Sequence, residues 1–236
     1  SERSRGLGDV YKRQFVISCL LAVLICGLFG GLLELLLFRP LRKGNVGNIA
    51  VLVVTIGLSI FIRHLYLLFA TGRVQNFPLE LQRRQTYLFF DMTPRNLKVL
   101  IIGIFVMVLI GLLLTYTKLG KAMRAVRDSE ELSSVSGINS DNIILITWIS
   151  SSMLAGLAGV FQAIINDVRW NMGFLILLLI FAGTVLGGIG TSFGAMVGGF
   201  IIGILVQVSV GLSFMEGHTE AKNAVALGIM LSLIHI

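Results

Sequence analysis

Long hydrophobic runs separated by short charged stretches dominate this chain. A helix needs about 20 consecutive apolar residues to cross a bilayer, and four runs meet that length, at residues 15–38, 46–70, 97–116 and 143–165. The runs are continuous and do not alternate with polar residues, which favours membrane helices over the strands of a barrel. The pattern therefore predicts an all-α, polytopic membrane protein with about six to seven hydrophobic segments.

A fifth run, residues 173–212, is uncharged and rich in glycine. Its first part, residues 174–186, would form a helix of about 20 Å, whereas the hydrocarbon layer is about 30 Å thick. The helix either continues through Gly187-Gly188 or ends there as a half-helix or re-entrant element. Glycines recur at every fourth position, at Gly190, Gly194 and Gly198. This spacing predicts that a neighbouring helix approaches closely, and it fits pure packing as well as a broken, cavity-lining helix.

Composition excludes several classes of protein. The chain is 56% hydrophobic with a mean hydropathy of +0.91, and only 13% of its residues are charged, against about 25% in soluble domains. The net charge of +7 lies in loops and tails, so it indicates membrane topology and lipid contact and not nucleic-acid binding. Cys19 and Cys26 share the first run and predict packed thiols without a disulfide or a metal site.

No residues suggest that the chain is an enzyme. It has no GxxxxGK[ST] nucleotide-binding loop and no nucleophilic, acid–base or metal-binding constellation. We therefore expect no catalytic residue, no metal ligand and no cofactor in this chain.

The two ends of the chain have an unusual sequence. The string DVYKRQ near the start and LSLIHI at the end resemble translated adapter sequence. We therefore expect residues 1–14 and 231–236 to be non-native and residues 15–230 to form the membrane domain. A last span would begin near Asn223.

Two polar features lie in the first two runs. Glu34 precedes the basic stretch RPLRK, so we expect it to pair with that stretch at the membrane interface, with Pro40 ending the helix. In the second run, Thr55, Gly57 and Ser59 place a glycine between hydroxyls. They predict either an irregular, cavity-lining turn or simple helix packing.

The best-patterned polar segment is residues 118–142. Basic residues lead it and acidic residues follow: Lys118, Lys121, Arg124 and Arg127, then Asp128, Glu130, Glu131 and Asp141. Apolar residues recur between them at helical spacing, at Met123, Val126, Leu132 and Val135. The pattern predicts a short amphipathic helix or helix pair outside the hydrocarbon that ends near Gly137, a plausible C-cap. Such a segment either docks on a partner or lies on the anionic leaflet.

The predicted spans place loops 39–45 and 117–142 on one side of the membrane. Loops 71–96 and 166–172 fall on the other side, and the first of these is long enough to carry a small ordered cap. The first side has seven Lys and Arg residues and the second has five. The positive-inside rule therefore leans towards a cytoplasmic location for 117–142.

Taken together, four motifs resemble a known family: RPLR, TIGLS, GKAMRAVRD with GIN, and FAGTVLGGIGTSFGAMVGG. In order and spacing over about residues 15–230 they are similar to the membrane permease subunits of ABC importers for branched-chain amino acids (leucine, isoleucine and valine). The WNMGF and EAKN segments are most similar to actinobacterial members. The resemblance implies a multi-pass protein of the bacterial plasma membrane that moves its substrate by alternating access. The implied partners are a second permease subunit, two cytoplasmic ATPase subunits that carry ATP and Mg²⁺, and an extracytoplasmic binding protein.

The resemblance also implies a coupling segment within 118–142. Glu131 and Gly137 occupy the E and G positions of the family's EAA…G pattern, and Leu132-Ser133 replace its two alanines. The expected coupling residues are Arg124, Arg127, Glu131, Leu132 and Gly137. For the substrate pathway we expect Thr55, Gly57, Ser59, Gly187, Gly188 and Gly190.

Two alternative functions stay open. A permease for urea or short-chain amides would have the same architecture. A gradient-driven secondary transporter would need acidic residues in mid-span, but Glu34 lies near the end of its run and residues 173–212 contain no charge.

Overall fold

The computed structural model describes residues 2–44, 46–69, 72–74, 85–87, 90–166, 168–188, 190–210 and 228. The described residues are almost entirely helical. Residues 1–169 and residues 170–236 form two compact units. The expected last span and the suspected end at 231–236 lie outside the described residues, apart from Gly228.

Helices account for both the membrane spans and the segment between them. They are α1 (Glu2–Leu33), a π-helical turn (Glu34–Phe38), α2 (Arg39–Lys43), α3 (Asn48–Phe69), α4 (Pro94–Tyr116), α5 (Lys118–Asp128), α6 (Glu130–Val135), α7 (Ser140–Ile165), α8 (Met172–Gly187) and α9 (Ser192–Val210). Among the described residues, four helical segments are long and apolar enough to cross a membrane: Arg13–Lys43, Ile49–Phe69, Pro94–Tyr116 and Ser140–Ile165. They match the four predicted runs, so the all-α polytopic prediction is confirmed. In the 71–96 loop, β1 (Gln85–Tyr87) pairs antiparallel with β2 (Phe90–Met92).

The first membrane helix does not end at Pro40, so that prediction is wrong. It passes through the π-helical turn and continues as α2 to Lys43. Proline has no N–H to donate to the carbonyl four residues earlier, and its ring crowds that carbonyl. A turn of π-helix widens the spiral at this point, which lets the chain pass the proline without ending the helix.

Glycines of α1 allow it to pack closely on α7. A Cβ added at Gly30 would lie 1.9 Å from Ser152 Oγ and 2.4 Å from Ser152 Cβ, and one at Gly31 would lie 3.0 Å from Ile149. From the opposite side, a Cβ at Gly156 would lie 2.8 Å from Cys26 Cβ. We call this contact the α1–α7 interface. Both cysteines are free thiols.

In the second unit, α8 ends at Gly187 and α9 begins at Ser192. The sequence left open whether the helix continues through Gly187-Gly188, and the structure shows that it stops there. A Cβ at Gly194 would lie 1.7 Å from the Gly187 carbonyl oxygen, and one at Gly198 would lie 2.2 Å from that of Gly183. The close helix approach predicted from the glycine spacing is therefore confirmed for these two glycines.

Candidate functional site

Side-chain caps divide the central segment into two short helices. Thr117 Oγ1 accepts a hydrogen bond from the Gly120 amide (3.1 Å) at the start of α5. Ser129, in an extended conformation, ends α5, and its Oγ accepts from the Leu132 amide (3.2 Å) at the start of α6. Such caps satisfy amides that a helix start would otherwise leave without a partner. The prediction of a helix pair is confirmed.

Gly137 ends α6 in a left-handed conformation, with φ of +86°. The Ile138 amide donates to the Ser133 carbonyl (3.0 Å), and the Gly137 amide donates to the Ser134 carbonyl (3.1 Å). These two bonds form a Schellman motif, which favours glycine because the left-handed region is costly for residues with a Cβ. The prediction of a C-cap at Gly137 is confirmed.

The apolar residues of the two helices have different environments. Val126 of α5 is buried, with 9% of its surface exposed. On α6, Leu132 is 68% exposed and Val135 is 87% exposed, and Glu131 is exposed beside them. Within the described residues, this face of α6 is therefore left uncovered.

Hydrogen bonds of serine side chains link α6 to the start of α7. The hydroxyls of Ser134 and Ser140 lie 2.9 Å apart, and they lie 2.9 Å and 3.2 Å from the Glu130 carbonyl oxygen, which accepts from at least one of them. Ser140 is buried, and so is Ser133 on the same side of α6. Asn139 caps α7 by accepting from the Asn142 amide (3.1 Å). The α6–α7 turn is therefore held by hydrogen bonds on one side while its apolar side remains exposed.

Ion pairs join α2 to the start of α7. Asp141 Oδ2 lies 2.6 Å from Arg39 Nη2 and 3.1 Å from Lys43 Nζ, and its Oδ1 lies 3.2 Å from Arg42 Nη2. Arg42 Nη2 also lies 2.9 Å from Glu34 Oε1. The expected pairing of Glu34 with RPLRK is confirmed. These contacts also place loops 39–45 and 117–142 on the same side, as predicted.

An open groove of about 1130 Å³ lies between α2 and the α6–α7 turn. Its lining is polar and carries both signs of charge: Arg42, Lys43, Ser129, Glu130, Glu131, Ser134, Gly137, Ile138, Asn139, Ser140 and Asp141. No cluster of three or more His, Cys, Asp or Glu suited to a metal ion occurs within the part of the chain that the structure describes.

The expected coupling residues have different surroundings. The Arg124 guanidinium donates to the Leu114 carbonyl at the end of α4, so it acts within the chain as a helix C-cap. Arg127 Nη2 is 2.7 Å from Asp128 on the exposed side of α5. Glu131, Leu132 and Gly137 are exposed on or next to α6. A role in coupling stays a prediction for all five residues.

The expected pathway residues fall in different units. In α3 the hydroxyls of Thr55 and Ser59 donate to the Leu52 and Ile56 carbonyls, and the helix continues without a break through Gly57. The alternative of an irregular turn at Thr55–Ser59 is therefore wrong, because each hydroxyl finds a partner on its own helix.

The second set of expected pathway residues forms the α8–α9 turn. Gly188 and Gly190 have φ of +89° and +98°, and Gly187 packs against Gly194. A pathway role for either set stays a prediction.

The sequence analysis missed the ion-pair network around Asp141 and the capping residues. Glu34 and Arg42 are eight residues apart, about two helical turns, which is a usable signal once a continuous helix is assumed. Ser129 before two glutamates is likewise a recognisable helix start. By contrast, Arg39 and Asp141 are 102 residues apart, and nothing local in the sequence links them.

Comparison with known proteins gives consistent matches over most of the chain. Residues 6–234 match the family described as branched-chain amino acid transport system, permease component. The chain is 29% identical to the high-affinity branched-chain amino acid permease BraD of Pseudomonas aeruginosa, over 90% of this chain and 69% of the relative. It is 27% identical to the corresponding permease LivH of Escherichia coli K12, with the same coverage.

A permease of a different import system also matches. The autoinducer 2 import permease LsrC of Yersinia enterocolitica is 30% identical over 91% of this chain and 59% of that protein. No solved structure matches this chain.

Proposed function

This chain belongs to the family of branched-chain amino acid transport permease components, and from that we propose that it is the membrane subunit of an ATP-driven importer whose ATPase docks on α6. It is a multi-pass protein of the bacterial plasma membrane. The observation that carries the proposal is the uncovered face of α6. Leu132 and Val135 are exposed on a helix that hydrogen bonds join to the start of α7, where Asp141 pairs with Arg42.

Docking on α6 accounts for this arrangement better than contact with lipid does. A helix lying on the leaflet would need an apolar face wide enough to enter the interface, whereas α6 has only six residues. An exposed Leu and Val beside Glu131 and a polar groove suit a protein partner that supplies an apolar pocket with a polar rim. We therefore propose that Glu131, Leu132 and Gly137 contact the ATPase, with Arg127 at the edge, and that Arg124 acts indirectly by holding α5 on α4.

The energy for transport would come from partner subunits. Ion pairs join residues 39–43 to the 117–142 segment, and these two loops carry more basic residues than the loops of the other side, which supports a cytoplasmic location. There two ATPase subunits would bind ATP and Mg²⁺, and their closure would drive alternating access through this chain and a second permease subunit. An extracytoplasmic binding protein would deliver the substrate on the opposite side.

Branched-chain amino acids are the proposed substrate. The family description and the names of BraD and LivH support this choice. The match to LsrC indicates that related permeases take part in the import of chemically different compounds, and urea or a short-chain amide is the runner-up. For the path we propose Thr55, Gly57 and Ser59 of α3, together with Gly187, Gly188 and Gly190 at the α8–α9 turn.

Truncating the exposed α6 face tests the docking. Leu132→Ala and Val135→Ala together remove five carbons that are largely exposed in this chain. Burying one carbon stabilises a complex by about 0.8 kcal/mol. Multiplied by the five carbons and by the exposed fraction of the two side chains, the loss in the free energy of docking should be about 3 kcal/mol. That corresponds to roughly 100-fold weaker binding of the ATPase to the permease in nanodiscs. Val108→Ala on α4, at a comparably exposed position, is the control and should leave binding unchanged.

Uptake in proteoliposomes tests the substrate in the same system. With the ATPase, second permease and binding protein present, ATP-dependent uptake of labelled leucine should be blocked by valine and not by urea, and the α6 double variant should abolish it. Inhibition by urea would move the substrate to the runner-up. Unchanged ATPase binding and uptake in the double variant would refute docking on α6.

A further inference from the structure

Glu34 is a buried carboxylate at the cytoplasmic end proposed for the first span. Its side chain is 1% exposed. Oε1 lies 2.9 Å from Arg42 Nη2, and Oε2 accepts no hydrogen bond from any described residue. A buried charge is costly unless a counter-charge lies close to it. Arg42 supplies the counter-charge that this buried carboxylate requires.

The same Arg42 nitrogen reaches a second carboxylate on another helix. Nη2 lies 3.2 Å from Asp141 Oδ1, on the first turn of α7. Arg39 and Lys43 hold the other oxygen of Asp141. One guanidinium thus bridges the end of the first membrane helix and the start of α7. We call Glu34, Arg42 and Asp141 the charge latch.

The π-helical turn places the latch on the α7 side of the first helix. Its two buried residues, Glu34 and Phe38, are four positions apart and lie on one face. Phe38 stacks on Trp148 of α7, with ring centroids 4.5 Å apart and planes inclined by 18°. An aromatic stack and a charge bridge therefore join the same two helices, next to the glycine contacts of the α1–α7 interface.

On the other side, α6 is bonded to the turn that holds Asp141. Ser140 of α7 lies within hydrogen-bond distance of both the Ser134 hydroxyl and the Glu130 carbonyl of α6, and Ser140 precedes Asp141 directly. Arg42 Nε also lies 3.7 Å from Glu130 at the start of α6. A displacement of α6 is therefore passed first to the start of α7 and, through Arg42, to the first helix.

We propose that the charge latch makes α1, α7 and α6 move as one body, so that ATPase closure on α6 displaces a helix pair and does not merely bend the α6–α7 turn. We assign Glu34, Arg42 and Asp141 as positioning residues, because their ion pairs hold neighbouring helices together. The inference rests on the proposed function, because it takes α6 as the surface on which force is applied.

Two isosteric variants test the latch in the reconstituted transporter. Glu34→Gln and Asp141→Asn each remove one charge of the latch without changing the size of the side chain. We expect ATPase binding and ATP hydrolysis to persist while leucine imported per ATP falls by roughly 5- to 100-fold, the range typical of coupling between sites. Asp128→Asn, which breaks an exposed pair within α5, should keep the wild-type ratio. A wild-type ratio in both latch variants would overturn the inference.

A restored connection separates a mechanical role from a loss of folding. In a Cys19→Ser, Cys26→Ser background, Arg39→Cys with Asp141→Cys should uncouple uptake from hydrolysis while Arg42 stays beside Glu34. Joining the two thiols with a flexible bifunctional reagent as long as the original pair of side chains should restore the amount of leucine imported per ATP hydrolysed. No recovery on cross-linking would count against the latch.

A distance measurement on the permease alone gives an answer independent of the ATPase. Spin labels at Leu41 and Ser136 should report a narrow distance distribution in the parent chain and a broadened one in Glu34→Gln and in Asp141→Asn. An unchanged distribution would refute the latch even if α6 docks the ATPase. Broadening, combined with unchanged ATPase binding in the Leu132/Val135 double variant, would support the latch and refute docking on α6.

Discussion

Replacing Gly30 by alanine gives a quantitative test of the α1–α7 interface. The new Cβ would lie 1.9 Å from Ser152 Oγ and 2.4 Å from Ser152 Cβ, with the Trp148 carbonyl oxygen at 3.1 Å. The hydroxyl can rotate away, but Ser152 Cβ is fixed to the α7 backbone. Restoring an ordinary contact of about 3.5 Å therefore requires the two helices to separate locally by about 1 Å.

That separation has an energetic cost along the interface. A gap of 0.5–1 Å forfeits about a quarter to a half of the dispersion attraction of the contacts it opens, and overpacking typically costs about 1–3 kcal/mol. Gly159→Ala on α7 is the matched control, because its Cβ would meet no atom within 4 Å. It should gain up to about 1 kcal/mol from helix propensity. The same substitution should thus destabilise at Gly30 and stabilise at Gly159.

Thermal unfolding of the purified protein in one detergent measures this difference. About 1 kcal/mol corresponds to roughly 2–4 °C in Tm for a chain of this length, so the two variants should differ by several degrees. In a Ser152→Gly background, which lacks both clashing atoms, Gly30→Ala should cost much less stability than it does in the parent chain. A Gly30→Ala protein as stable as Gly159→Ala, or an equal cost of Gly30→Ala in both backgrounds, would refute close packing at this position.

Two further predictions concern glycines in other elements. In Gly137→Ala the new Cβ would meet no atom within 4 Å, but the residue must hold φ near +86°, which costs about 1–2 kcal/mol. Because this cost weakens the Schellman motif, the Ile138 amide that closes the motif should exchange its hydrogen roughly 5- to 30-fold faster. Unchanged exchange would mean that alanine tolerates this cap. Gly194→Ala should lower Tm because its Cβ would lie 1.7 Å from the Gly187 carbonyl oxygen. The control Gly203→Ala should not lower Tm, because its Cβ would meet no atom within 4 Å. Equal Tm values for the two variants would contradict the α8–α9 packing.

Local patterns were sufficient to predict most of the fold. Apolar runs long enough to cross a bilayer identified the four long spans, because hydropathy and length alone decide that property. The helix pair in 118–142 followed from apolar spacing, and its end followed from Gly137, since few other residues adopt a left-handed cap. The glycine spacing around Gly194 and Gly198 predicted close packing for the same steric reason.

Features that depend on another part of the chain were missed or wrong. Pro40 alone indicates a helix end, but the helix continues past it because the preceding turn is π-helical. Thr55 and Ser59 suggested a break, but each hydroxyl bonds a carbonyl of its own helix. The coupling role expected for Arg124 stays a prediction, but its cap on α4 at Leu114 was missed. In each case the outcome depends on a backbone path or a tertiary partner that residue type does not specify.

The pairing of the first helix with α7 has a consequence during biosynthesis. Arg39 and Asp141 are 102 residues apart, so at about 5–20 residues per second the ribosome needs roughly 5–20 s to produce the partner. Throughout that interval the small-residue face around Gly30 lacks its α7 partner, whereas Arg42, the counter-charge of Glu34, is made only eight residues after it. The nascent helix can therefore enter the bilayer with its acidic residue compensated, and it acquires its lasting neighbour only when the later segment is inserted.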